Sequence, residues 1–282
     1  MENQFVKKIA FLICAIGICS CEKVEIRGMF VSSELVDERF EQSMDWNASH
    51  PYQEIVVPTD TYTLFVGGDS HVGGTVNFEQ FTKDAFDSNA SAMVIVGDIT
   101  TGNADDYTLF ASLLPHPDTL ASFTMLGNHD LFFNGWETYR SLFGTSTYYF
   151  TVQTSDGIDL YICTDSGSST LGPKQTKWLT ELLENDREKY RRCVFFTHVN
   201  FFRDRHTSST NPMIEEMYAL MDLFVKHRVD MVVMGHDHKR SIEQLGNTTY
   251  ITMDALVDEF DDASYMKLNV TNGTIGYTFV DF

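Results

Sequence analysis

An α/β fold, built on one mixed sheet or on a packed pair of sheets, is what this 282-residue sequence predicts. Three observations carry the prediction. Between Tyr62 and Met234, short runs rich in Val, Ile, Phe and Tyr alternate with amphipathic segments of helical period. From 239 to 282 the pattern becomes all-strand, with Gly246-Asn247 and Asn272-Gly273 as turns. The composition is 43% hydrophobic and 13% aromatic with only 6 Pro, which excludes wholesale disorder and a collagen-like fibre. A chain this long buries roughly three quarters of its unfolded surface and needs no disulfide staples.

The elements follow in order. Strands are expected at 62–68, 92–97 and 122–126, separated by helices at 77–89 and 105–114. A helix at 135–143 leads into a pair of strands, 147–152 and 158–163, around the turn Asp156-Gly157. Helix 173–185 starts with Pro173 in its first turn, where the missing N–H is no loss. Strand 192–197, a loop to Asn211, helix 212–227 and strand 229–234 complete the alternation. Residues 22–60 mix charges and aromatics without a clear period and are expected to form a tether and an N-terminal arm packed on the domain. With no internal repeat and no linker after 60, residues 61–282 read as one domain.

At the N-terminus, Lys7 and Lys8 precede an apolar run over 9–19, the length of a signal-peptide core and short for a bilayer span. Ile18-Cys19-Ser20-Cys21 resembles the lipobox of bacterial lipoproteins, which implies removal of 1–20 and lipidation of Cys21. The chain is then expected to be exported and lipid-anchored, on the periplasmic or cell-surface side. The competing readings are an ordinary secretory signal cut nearby and an uncleaved anchor.

Forty acidic residues against 20 basic ones give a formal charge of −20, and cleavage removes Glu2, Lys7 and Lys8, leaving the chain one unit more negative. Such a chain repels polyanions, so nucleic acid is not an expected partner and attachment would rest on lipid chains rather than basic patches. Cys163 and Cys193 lie in strand-like runs and read as small buried hydrophobes, although a disulfide between them stays open in an oxidising compartment.

Ligand sites in open α/β sheets lie beyond the carboxyl ends of strands. Here those ends deliver Gly68-Asp69-Ser70-His71, Gly97-Asp98, Gly127-Asn128-His129-Asp130, His198 and Gly235-His236-Asp237-His238. The glycines are expected to let the backbone turn tightly and approach whatever is bound. Oxygen and imidazole donors without thiolate suit Zn, Mn or Fe. Seven donors exceed one tetrahedral ion, whereas two ions sharing a carboxylate fit the count and are a common device for displacement at phosphorus.

The five motifs, in this order over about 62–238, resemble the calcineurin-like metallophosphoesterase superfamily. The resemblance implies a sandwich of two mixed β-sheets flanked by helices. It implies that Asp69, His71 and His238 bind one metal, that Asn128, His198 and His236 bind a second, and that Asp98 bridges both. His129 would be the catalytic non-ligand histidine, stabilising the transition state or protonating the leaving oxygen. The implied reaction is hydrolysis of a small phosphate mono- or diester by in-line attack of a bridging hydroxide. An exported surface-binding lipoprotein with a structural metal site is the alternative.

Some features depart from the family pattern. Thr101 stands where many relatives carry an acid that pairs with the catalytic histidine, so Asp130, Asp105 or Asp106 is left to orient His129. The tyrosine of purple acid phosphatases and the Asp-Arg-Gly of phosphoprotein phosphatases are absent. Arg203, Arg205 and His206 follow a ligand histidine and are candidates to touch a substrate phosphate, with a solvated loop as the competing reading. Phe132, Phe133 and Trp136 read as core or as pocket wall; His50, His116 and His227 read as surface residues. The acidic run 258–262 lacks the spacing of a calcium loop and reads as a solvated turn.

Overall fold

The computed structural model describes residues 34–203, 210–258 and 260–282. The expected signal peptide and Cys21 lie outside them. Two sheets pack face to face, flanked by six helices among the described residues. The five-stranded sheet has the order β12-β11-β2-β3-β4, with β2 Thr61–Gly67, β3 Ala92–Ile95 and β4 Ala121–Thr124 parallel, and with β11 Ser264–Thr271 and β12 Thr274–Asp281 as an antiparallel edge. The seven-stranded sheet has the order β1-β5-β6-β7-β8-β10-β9. Its members are β1 Glu54–Val56, β5 Tyr148–Gln153, β6 Ile158–Cys163, β7 Arg192–Phe196, β8 Met231–Met234, β9 Ser241–Leu245 and β10 Thr248–Thr252. The expected sandwich of two mixed sheets is therefore the observed fold.

Alternation along each strand sorts side chains between layers. Leu64, Val66, Val94, Phe150, Tyr161, Val194, Val233 and Leu268 fill the space between the sheets. Phe65, Met93 and Ile95, on the opposite face, meet Phe78 and Phe81 of helix α2 Val76–Asp87, Tyr107 and Phe110 of α3 Ala104–Leu113, and Trp136 and Tyr139 of α4 Gly135–Phe143. Leu160, Phe195 and Val232 face Leu179 and Leu183 of α5 Gly172–Asp186 and Phe224 of α6 Ile214–Lys226. The same alternation answers the disulfide question. Cys163 points into the inter-sheet core and Cys193 onto the helix-covered face, so the two thiols stand on opposite sides of one sheet and both are free.

One helix is absent from the sequence expectation. Residues 36–49 form α1 (Val36–Ser49), whose buried positions are Arg39, Phe40 and Ser43. A helix whose buried face carries an arginine and a serine shows no apolar period. Its Gln42 accepts from Trp136 Nε1 at 2.8 Å and its Asn47 donates to the Thr147 carbonyl at 2.8 Å, which fastens it to the domain. The acidic turn after 257 also has a structural role, because Asp258 accepts from Val76 N (3.1 Å) and Asn77 N (2.9 Å) and caps α2 across the chain. No helix among the described residues is long and apolar enough to cross a membrane.

Candidate metal centre

Strands β2, β3, β4, β7 and β8 end at the same edge of the sandwich, and each leaves its ladder two to four residues before a residue of the expected set. Asp69, His71, Asp98, His236 and His238 all adopt left-handed backbone conformations, with φ of 52°, 42°, 47°, 78° and 56°. For residues with a Cβ this costs roughly 1 kcal/mol each, and such strain concentrates at functional sites.

The side chains so aimed converge in two groups that share Asp98. Asp69, His71, Asp98 and His238 place one donor atom each within 4.8 Å of one another, and so do Asp98, His198 and His236. In the first, His238 Nε2 stands 3.1 Å and His71 Nε2 3.9 Å from Asp69 Oδ1, and the two ring nitrogens face each other at 3.3 Å. In the second, His198 Nε2 stands 3.2 Å from both Asp98 Oδ2 and Asn128 Oδ1. All seven expected ligand residues are thus brought together.

Backbone partners fix which ring atoms are presented. His198 Nδ1 lies 2.8 Å from the Val96 carbonyl, which can only accept, so Nδ1 carries a proton and Nε2 is the ring atom presented to Asp98. His236 Nε2 donates to the Thr210 carbonyl at 3.1 Å, which leaves Nδ1 as its ligand atom. Asp69 Oδ1 is buried yet accepts no hydrogen bond, as an oxygen reserved for a cation would. The set of imidazole nitrogens and carboxylate oxygens therefore fits divalent metal ions.

Electrostatics point the same way. Burial opposes ionisation of Asp98, yet the imidazoles of His198, His129 and His71 hold its carboxyl well below the usual range. Asp69, equally buried, is lowered by His238 and His198. Burial alone would lower His198, but Asp98 and Asp69 push it up to about 10. Burial drives His71 down to about 4. Two buried carboxylates call for positive charge, from a protonated His198 or from a cation that replaces the proton on its Nε2.

His129 stands beside this cluster. Its backbone N donates to Asp98 Oδ1 at 2.8 Å, its Nε2 is 4.0 Å from Asp98 Oδ2, and its ring meets that of His71 edge-on with centroids 4.7 Å apart. The candidates for orienting it through a carboxylate are engaged elsewhere. Asp130 accepts from Gly127 N (2.8 Å), Thr100 N (2.9 Å) and Ile99 N (3.2 Å), so it staples the two ligand loops together. Asp105 is exposed on α3, and Asp106 bonds to Thr101. Among the described residues, Asp98 brings a carboxylate oxygen within 4.0 Å of His129 Nε2.

Arg203 corrects an expectation. Its Nε and Nη2 lie 3.1 Å from Asp237 Oδ1 and its Nη1 donates to the Thr210 carbonyl, so the side chain, 5% exposed, braces the loop that bonds His236. An aspartate next in sequence to a ligand histidine draws the guanidinium inward. Arg205 and His206 lie outside the described residues. Phe132 and Trp136 are buried, Phe133 is exposed, and Phe260 sits beside His238 with ring centroids 5.4 Å apart. His50 stacks on Trp46 and His116 lies in an exposed turn, both apart from the cluster, while His227 caps the end of α6. Ser166, without any sequence signal, accepts from His198 N (3.1 Å) and Val199 N (2.9 Å).

The family model described as calcineurin-like phosphoesterase matches residues 62–240, which hold every residue of the cluster. The chain belongs to this family. Among solved structures, this phosphoesterase-family chain is similar to GAP50, described as the anchor in the inner membrane complex of Plasmodium, with a TM-score of 0.61 and 14% identity over 79% of this chain and 85% of that one. It is also similar to a dimetal phosphatase from Danio rerio, with a TM-score of 0.58 and 11% identity over 78% of this chain and 99% of that one. At such identities the likeness shows the fold. No curated protein matches the chain.

Proposed function

We propose that the chain hydrolyses small phosphate mono- or diesters with two divalent ions, Mn, Fe or Zn, held by the two groups that share Asp98. The observation that carries this reading is the shared carboxylate itself: one buried Asp98 stands in both donor sets, each otherwise complete. Asp69, His71 and His238 would hold one ion, and Asn128, His198 and His236 the other. When bound, the ions supply an acidified bridging water as nucleophile and positive charge for the phosphoryl oxygens.

The protein's own contribution is position. Val96 and Thr210 lock two imidazoles in their ligating tautomers, and Asp130 holds the Asp98 and Asn128 loops at a fixed separation. His129, tied to Asp98 through its backbone and 19% exposed, would give a proton to the leaving oxygen. The nearby cations Arg203 and Arg240 are engaged by Asp237 and by Asp254 and Asp281, so in this acidic chain attraction for a substrate phosphate comes from the ions. A Cys21 lipid anchor on the outer side of a membrane completes the proposal.

The test is Asp98→Asn, stripped with chelator and reloaded with Mn, Zn or Fe, against an aryl phosphate monoester and a diaryl diester. Loss of one or both ions and of turnover, by about 1,000-fold or more, is expected for a group that serves both sets. Full activity in the variant refutes the mechanism. Two ions bound by the wild type without turnover on either ester favours the surface-binding lipoprotein instead.

A further inference from the structure

We propose that Arg39, outside the family-matched 62–240, is a positioning residue for the second donor set, acting through Asp165 and Ser166. The inference rests on the two-ion reading above only in its metal readout.

Arg39 and Asp165 form an ion pair whose two side chains are wholly buried. Nε donates to Asp165 Oδ2 at 2.8 Å and Nη2 to Oδ1 at 3.1 Å, a bidentate fork that fixes the carboxylate in plane. Nη2 also donates to Ser168 Oγ at 3.0 Å, and Nη1 to the Glu34 carbonyl at 2.9 Å. Asp165 Oδ1 further accepts from Gly167 N at 3.1 Å. The guanidinium on α1 therefore grips 165–168 from both ends.

That loop touches the donor set at two points. Ser166 Oγ takes the backbone N–H of His198 at 3.1 Å and of Val199 at 2.9 Å, the second and third residues past β7. Gly167 lies so close to the Gly127 carbonyl that an added Cβ would stand 2.7 Å from it, and Asn128 comes next. His198 and Asn128, whose donor atoms are 3.2 Å apart, are both set by one loop that α1 holds. The first set has no direct contact with 165–168 among the described contacts: Asp69 and His71 hang on the 97–98 backbone, Asp69 Oδ2 accepts from His236 N, and the loop that carries His238 meets the second set through Gly235 N, which donates to the His198 carbonyl at 2.9 Å. Severing Arg39 should thus loosen one set and spare the other.

The experiment uses the full chain as wild type, Arg39→Lys, Arg39→Met and Ser166→Ala, the last leaving the arm docked while cutting the link. Hydrogen exchange on metal-free protein is expected to be about tenfold faster at His198 and Val199 in Arg39→Met and in Ser166→Ala, with β2 and β3 unchanged. In chelator titrations followed by elemental analysis, one ion should be released about 10- to 100-fold more readily and the other as in wild type, with partial rescue in Arg39→Lys. Unchanged exchange at His198 and Val199 in Ser166→Ala overturns the proposal. So does loss of both ions in step with a fallen Tm, the signature of a merely structural pair. Should wild type take up only one ion, the two-ion reading falls, and the exchange rates by themselves decide the link.

Discussion

Replacing Asp130 by Ala tests the claim that this carboxylate staples the ligand loops. Its two oxygens accept from Gly127, Thr100 and Ile99 N–H groups at 2.8, 2.9 and 3.2 Å, and the side chain is fully buried. Alanine leaves three buried donors without acceptors, at about 1–3 kcal/mol each; with the longest bond at the low end, the total is roughly 3–7 kcal/mol. In a chain of this size 1 kcal/mol moves Tm by about 2–4 °C, so a fall of roughly 6–28 °C is expected. Calorimetry on metal-free protein is the assay, because bound ions would add their own linkage. Asp130→Asn, which keeps one acceptor oxygen, should lose less, and metal uptake should weaken with the staple because Asp98 and Asn128 lie on the two loops it joins. An Asp130→Ala protein that melts within about 2 °C of wild type refutes the reasoning.

Gly127→Ala would set a Cβ 2.1 Å from Asp98 Oδ1, and a calorimetric metal titration should show affinity reduced at least tenfold. Burial raises the Cys163 thiol far above its ordinary range and pushes Cys193 up to about 12, so at pH 8 both stay protonated. Mass spectrometry after iodoacetamide treatment should find both unlabelled in native protein and labelled in urea. Asp258→Ala removes both cross-chain caps of α2 and should cost about 1 kcal/mol, read as a Tm lower by about 2–4 °C.

The central strands were legible as short continuous apolar runs, as in β3 and β8, buried at every position, and most helices by their 3.6-residue period. The converging donor cluster was legible because each of its loops follows a strand. What escaped notice depended on contacts distant in sequence. Arg39 meets Asp165 across 126 positions, so nothing local marks α1 as a buried helix or its arginine as a core residue. Arg203 reads as a solvated cation until Asp237, 34 positions on, is folded against it. Asp130 carries the right charge beside His129 but points its carboxylate back at backbone N–H groups, a direction no spacing encodes.

The glycines before the ligands show how sequence can identify the right residue for an incomplete reason. A Gly-Asp or Gly-His pair suggests that the glycine makes the turn. Of Gly68, Gly97, Gly127 and Gly235, only Gly97 has a left-handed φ, and the strained conformations fall instead on the ligands themselves. A Cβ on Gly235 would stand 2.5 Å from Asp69 Oδ2, as one on Gly127 would press on Asp98. These glycines are needed because neighbouring ligand loops cross at atomic contact, a requirement of the assembled site rather than of each turn. Packing five loops this tightly holds Asp69, His71, Asp98, His236 and His238 in conformations that none would choose alone. The same closeness fixes the donor atoms in place before any ion arrives.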